Sequence, residues 1–368
     1  MLNRLVNQFL AWINQRSSLK FTKQPGIQAF ALLFVIGLGL SIAIASCTPN
    51  NAANSVTAPK QEPQKSQLTV LKMGHQKGVA LLNILKAQGT LEKRLKPQGI
   101  SVTWNEFSST APLLDGMGVG AIVFGAGGGT GSVFAQAGDK PFVRVAASLS
   151  SGTKGSPILV KENSPIKTVA DLKGKKVAFA KGSGQHYIIV RALEKAGLTY
   201  NDIKPVFLTP AEALPAFERG DIDAWLIWDP YTAQAEQKIR TRSIADNGTI
   251  FGDKAAIESP GFYYASQDFV RDHPDLLKII LQEVEKAAEW SNKNTNDSAK
   301  LLSKVYKIDL ATMQTVEERA GTREVVPVND ESLSGLQRMA DAFYKLKVIP
   351  KKIDVKDKNF NWIPDQKW

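Results

Sequence analysis

The 368-residue chain is 43% hydrophobic, enough for a large core, and its 46 basic against 35 acidic residues give a formal charge of +11. A basic surface suits nucleic acid, an anionic membrane or an anionic solute, but no Lys/Arg block interleaved with aromatics appears, which argues against nucleic acid. His75, His186 and His273 are the only histidines, Cys47 is the only cysteine, and nothing has metal-ligand spacing, so no metal, other cofactor or intrachain disulfide is called for.

The chain opens with Arg4, Arg16, Lys20 and Lys23, then an apolar run from Ala29 to Ser46, with no acid before it. A basic start, an apolar middle and small residues before Cys47 (Ile44-Ala45-Ser46-Cys47) make residues 1–46 a lipoprotein signal peptide. After cleavage, the Cys47 thiol would carry a lipid. The run is also about long enough to cross a bilayer, and a retained anchor is the other reading. Either way the bulk of the chain is exported, to the periplasm or the extracellular face of the plasma membrane. Loss of the four basic residues leaves 42 basic against 35 acidic, a net charge of +7. Residues 47–67 are polar and contain proline, and read as a flexible tether.

From Leu68 onward, strand and helix patterns alternate. Leu68–Met73 is a predicted strand by its β-branched content, followed by a helix over Val79–Leu85. Strands over Ser101–Phe107, Ala121–Phe124 and Phe142–Ala147 are interleaved with helices over Pro112–Val119 and from Gly131 to Ala137. A second series has strands at Ile158–Val160, Lys176–Ala180, Val206–Leu208 and Ile222–Ile227. Its helices are Gln185–Ala196, ended by Gly197, then Pro210–Glu218 and Pro230–Lys238. After a strand at Phe262–Ala265 the pattern becomes mostly helical, through Pro274–Trp290, Ala299–Val305, Leu310–Glu318 and Leu333–Lys347. Such alternation argues for parallel sheets with helical faces, and ligands of such sheets sit at the carboxyl ends of strands.

Two glycine-rich turns at those ends lead into helices: Gly125–Ser132 and Lys181–His186. A helix start exposes free N–H groups and about half a positive charge, which can cradle an oxyanion, although a glycine-rich turn is most often only a turn. Gly125–Gly131 is not a nucleotide P-loop, since no Lys-Ser/Thr follows. Ser183 and His186 lack a nearby orienting carboxylate, and His75 and His186 read as hydrogen-bonded rim residues. Trp225 reads as core, and Trp228 as an exposed platform for an apolar tail.

Asn163-Ser-Pro-Ile-Lys-Thr-Val-Ala-Asp-Leu-Lys-Gly174, Lys181-Gly-Ser183, Asp223-Ala-Trp225 and Ile227-Trp-Asp-Pro-Tyr231 resemble the solute-binding proteins of aliphatic sulfonate ABC importers, a group that includes taurine and nitrate binders. Gln76-Lys-Gly78 and Phe134-Ala-Gln-Ala137 match as well, and the resemblance runs from Leu68 to about Val355. It implies an α/β fold of the two-lobe periplasmic-binding-protein kind, type II with two crossovers. Lobe one would be 68–155 and 261–368, lobe two 156–260, with the ligand in the cleft between them. It also implies ligand contacts at Gln76, Gly128, Gly129, Thr130, Gly182, Ser183, His186 and Trp228, with Asp229 capping the next helix. The partners implied are an organosulfonate, an ABC permease and its ATPase, with the protein a lipid-anchored monomer and no enzyme. Taurine, nitrate and a ligand-sensing role are the alternatives. The chain departs from the family pattern at Val123 and Gly129, where acids are expected, and at Gly131-Ser132, where prolines are. The loss of two negative charges should raise the local positive potential.

Overall fold

A computed structural model describes residues 68–368. The signal, the tether and Cys47 lie outside the described residues. Eleven strands form among the described residues: β1 (Val70–His75), β2 (Ser101–Glu106), β3 (Phe124–Gly128), β4 (Val143–Ser150), β5 (Ile158–Lys161), β6 (Lys176–Phe179), β7 (Lys204–Phe207), β8 (Ala224–Leu226), β9 (Thr241–Ser243), β10 (Gly261–Ala265) and β11 (Arg323–Val326). They make two sheets, one of six strands in the order β11-β4-β10-β3-β1-β2 and one of five in the order β7-β6-β8-β5-β9. In the large sheet β1 runs parallel to β2 and β3, while β10 lies antiparallel between β3 and β4, with Gly261 opposite both Gly128 and Ser148. In the small sheet β6 is parallel to β7 and β8, and β5 is antiparallel to β8 and β9. The chain therefore leaves the large sheet after Ser150, builds the small one, and returns at Gly261.

Helices cover both faces of each sheet because their apolar residues recur at helical spacing. In helix Gly184–Lys195 the stripe Ile188, Ile189, Ala192, Leu193 is buried beneath Val177 and Phe179 of β6. On the opposite face, Phe217 and Ala213 of helix Pro210–Arg219 pack with Trp225 and Ile227. That helix starts at a Thr209–Glu212 capping box and stops at Gly220, whose φ of 86° suits glycine. The 20-residue helix Pro274–Lys293 buries Leu277, Ile280, Leu281 and Val284 in the core of the large sheet. Among the described residues no helix is long and apolar enough to cross a membrane.

One element departs from the sequence expectation in a way that moves the site. The strand expected to end at Phe124 instead begins there and runs through Gly128. Glycine is normally weak in a strand, but here it admits close neighbours. A Cβ on Gly127 would stand 2.2 Å from Thr110 Oγ1 and 2.6 Å from Gln76 Nε2. The glycines thus let helix Thr110–Gly118 and the loop after β1 close down on the strand.

Candidate functional site

The strand ends of both sheets open on one cavity of about 360 Å³. The large sheet contributes the loop Gln76–Ala80 after β1, the helix start Ser109–Ala111, Gly127 and Gly128 of β3, and Ser148–Ser150 of β4. The small sheet contributes Ala180–Gln185 after β6 and Trp228–Pro230 after β8. Four basic residues (Lys77, Lys181, Arg319, Arg323) and one acid (Asp229) line the cavity, so it favours anions over cations. The two arginines are engaged by acids, Arg319 by Asp229 and Glu236 and Arg323 by Glu317, while Lys77 and Lys181 have no carboxylate partner among the described residues, Lys181 lying 5.6 Å from the Phe207 ring centre.

Two helix starts face this space. Helix Gly184–Lys195 is capped by Ser183, and Gly184 and Gln185, which supply its first two amides, both line the cavity. The second start is that of helix Thr110–Gly118, whose first residues Thr110 and Ala111 line the opposite side. None of these four amides has a protein partner among the described residues. Ser109, in the capping position, accepts no side-chain cap bond, and Pro112 in the first turn has no N–H to donate one. Thr110 Oγ1 accepts the Gly128 amide at 3.0 Å and Gln76 Nε2 at 3.4 Å. With two donors pointed at its oxygen, the hydroxyl proton is left to donate to another acceptor.

The contacts anticipated from sequence divide into two groups. Gln76, Gly128, Gly182, Ser183 and Trp228 line the cavity, whereas Gly129, Thr130 and His186 stand behind its wall. The Gly129 amide donates to Pro260 O at 2.8 Å, and the Thr130 hydroxyl, fully buried, points at Met339 Sδ 3.0 Å away. β3 runs longer than expected and turns Gly129 and Thr130 inward, so of the next helix Gly131 reaches the cavity. A helix start the sequence reading passed over, Ser109–Ala111, lines the cavity beside the two anticipated glycine-rich turns. Gln76 also differs from its expected role. Its Nε2 donates to Ala126 O at 2.8 Å and to Thr110, so it fixes Thr110 and does not offer its N–H groups to a ligand.

His186 is fully buried. Its Nδ1 accepts the Gly182 amide at 3.3 Å, and its Nε2 faces Tyr200 Oη at 3.1 Å. An accepting Nδ1 places the proton on Nε2. Burial, with Lys181 adding to it, lowers the pKa to about 4, so the ring is neutral and holds the Gly182 turn. Ser183 spends its proton on Ala180 O at 2.7 Å, away from the imidazole, so no Ser–His nucleophile pair forms.

Trp228 is half-buried and sits against Gly78 from the other sheet, where a Cβ would come within 2.6 Å of its ring. Asp229 accepts the Ala233 amide at 3.1 Å, inside the first turn of helix Tyr231–Lys238, and pairs with Arg319 at 3.3 Å. Burial raises its pKa, against the pull of Arg319.

Of the departures from the family pattern, Val123, Gly129 and Ser132 do not line the cavity, whereas Gly131 does. An acid at 129 has no room, since a Cβ would meet Pro260 O at 2.8 Å and Leu336 Cδ1 at 2.9 Å. Close by, Arg144 is fully buried, with Ser132 Oγ and Gln136 Oε1 both 2.9 Å from its guanidinium and no carboxylate among its partners. Burial lowers its pKa to about 10.

The NMT1/THI5-like family matches residues 95–297. A relative from Escherichia coli (strain K12), named as an aliphatic sulfonates-binding protein, is 36% identical over 302 residues, 82% of this chain and 91% of that one. Among solved structures, the periplasmic aliphatic sulphonate binding protein SsuA from Escherichia coli aligns with a TM-score of 0.72 at 35% identity, covering 81% of this chain and 93% of that one. The alkanesulfonate-binding protein SsuA from Xanthomonas axonopodis pv. citri bound to MOPS gives a TM-score of 0.74 at 30% identity, covering 81% and 99%. The two-sheet α/β fold is that of these periplasmic binding proteins, and the chain belongs to the NMT1/THI5-like family, among its aliphatic sulfonate-binding members.

Proposed function

We propose that this chain is the extracytoplasmic solute-binding component of an ABC importer and captures an organosulfonate. The observation that carries the reading is the meeting of two helix starts, Thr110–Ala111 and Gly184–Gln185, on one cavity lined by four basic residues and one acid. A sulfonate keeps its charge across ordinary pH and has three oxygens to accept N–H and O–H bonds. Four amides and the Thr110 hydroxyl answer that demand, with Lys77 and Lys181 adding field. Charge-assisted bonds are worth about 1.5–3 kcal/mol each, so three or four give micromolar binding after the costs of association. The alkyl tail rests against Trp228. The protein binds without turnover, since Ser183 and His186 do not form a nucleophile pair.

Residues 68–155 with 261–368 and residues 156–260 act as two lobes that close on the solute by a hinge and present the loaded state to a permease and its ATPase. The protein works as a monomer at the periplasmic or extracellular face of the membrane, held by a lipid on Cys47. Calorimetric titration with C2–C8 alkanesulfonates, taurine, nitrate and sulfate tests the reading. An alkanesulfonate ranks first, and nitrate ranking first overturns the substrate class.

A further inference from the structure

The loop after β1 puts Lys77 in the cavity wall and Gly78 against Trp228 of the other sheet, and its Gln76 side chain holds Thr110. This loop is itself held from behind. Asn83, buried in helix Ala80–Gln88, donates through Nδ2 to Gln76 O at 2.9 Å and to Val79 O at 2.8 Å. The direction of that amide is settled one step further out. His75 is buried, with Nδ1 2.9 Å from Asn83 Oδ1 and Nε2 3.0 Å from Lys86 Nζ. An ammonium can only donate, so Nε2 accepts and the ring proton sits on Nδ1. That N–H donates to Asn83 Oδ1, which turns Nδ2 toward the two loop carbonyls. Burial, with the Lys86 charge adding to it, lowers the pKa of the ring against the pull of the Asn83 bond and of Glu106 on β2, so the ring is neutral.

We propose that Lys86 and His75 are positioning residues for anion capture: Lys86 fixes the tautomer of His75, the tautomer fixes Asn83, and Asn83 fixes the loop that carries Gln76, Lys77 and Gly78. The inference rests on the sulfonate reading above and adds the residues that hold its site in shape. The opposite tautomer shows why the chain of bonds matters. With the proton on Nε2, Nδ1 would face Asn83 Oδ1 as a second acceptor. The amide would then turn over to give the ring a donor, and its oxygen would face the carbonyls of Gln76 and Val79. Oxygen against oxygen pushes the loop away, and Thr110 loses the Gln76 bond that orients it. Lys86 is exposed, so a residue on the outer surface sets the geometry of the cavity without touching the solute.

The test joins NMR of the imidazole nitrogens with calorimetric titration of the purified protein by an alkanesulfonate. At neutral pH the His75 ring of the unaltered protein carries its proton on Nδ1. Lys86→Met moves the proton toward Nε2 and weakens binding about tenfold, whereas Lys86→Arg, which still donates to the ring, binds within about threefold of the unaltered protein. His75→Asn puts an amide N–H in the place of Nδ1–H and also binds within about threefold. On that background Lys86→Met costs less than about twofold, because no tautomer remains to be set. An Nε2–H ring in the unaltered protein overturns the inference and leaves the sulfonate reading standing. So does full binding by Lys86→Met, and so does a Lys86→Met loss that persists on the His75→Asn background, which would trace to the missing charge alone. Absence of binding by the unaltered protein overturns the sulfonate reading and the inference with it. The NMR of unaltered protein and the Lys86 variants decide the matter even if His75→Asn fails to fold.

Discussion

The imidazole of His186 serves the site from behind. It fixes the turn whose amides line the cavity, and it does so only as the neutral ring, since a proton on Nδ1 would face the Gly182 N–H. Its pKa is near 6.5 in the unfolded chain and about 4 in the folded one. A folded pKa below the unfolded value means that the stabilisation is fully present above pH 6.5 and is lost as pH falls from 6.5 through 4. That loss is about 2–3 kcal/mol at pH 4.5 for a shift of this size. Urea unfolding at pH 7.5 and 4.5 should show it in the unaltered protein, and His186→Phe should lack that component. An equal pH response in both proteins would mean that the ring is not the group responsible. Arg144 presents the converse problem, a buried cation held only by neutral acceptors. Its charge is retained because several oxygens converge on it and Phe142 lies 5.2 Å away.

Helix starts carry the polar side of the site, and they differ in how readily sequence discloses them. Ser183 stands directly before an apolar stripe of period 3.6, so its helix and its cap are legible. The start at Thr110 is not, because Pro112 reads as a first helical residue and draws the boundary two residues too late. β3 was hidden for a related reason. Its five residues include three glycines, and what makes them a strand is the closeness of Gln76 and Thr110, which only the folded chain supplies. The short strands β9 and β11 carry charged residues on the edges of their sheets and give no strand signal of their own. The long helices, buried Trp225 and the parallel strands β1, β2, β6, β7 and β8 were legible because each rests on local pattern, whereas the antiparallel course of β5 and β10 was not. The two starts also separate by experiment. Thr110→Val removes the hydroxyl that accepts from Gly128, and with it a donor to the anion, and should weaken sulfonate binding about 10- to 100-fold. Ser183→Ala removes a cap worth about 1 kcal/mol of stability while leaving the Gly184 and Gln185 amides in place, and should weaken binding less than about fivefold. Titration of the two variants checks this, and the reverse order would restore Ser183 as the principal donor.

Across the whole molecule, the two halves meet through aromatic packing, with Phe343 4.9 Å from His186 and 6.1 Å from Tyr187, and through polar contacts. Arg319 on helix Leu310–Ala320 grips Asp229 and Glu236, Thr312 on the same helix donates to Gln237 at 2.8 Å, and Trp228 lies on Gly78. With the arginine gone, Asp229 would be left buried and unpaired, a cost that favours separation of the halves. Arg319→Met should therefore enlarge the radius of gyration of the ligand-free protein in small-angle scattering, and saturating alkanesulfonate should reverse the change. An unaltered profile would show that the other contacts suffice. The position of β10 bears on how the chain is assembled. Because Gly261–Ala265 is the plank between β3 and β4, a nascent chain halted before it has two unfinished slabs where the large sheet should be. The small sheet, encoded without interruption from Ile158 to Ser243, needs no such late arrival. The half that is synthesised second can thus settle first, and the half begun first must wait for the tail end of the polypeptide.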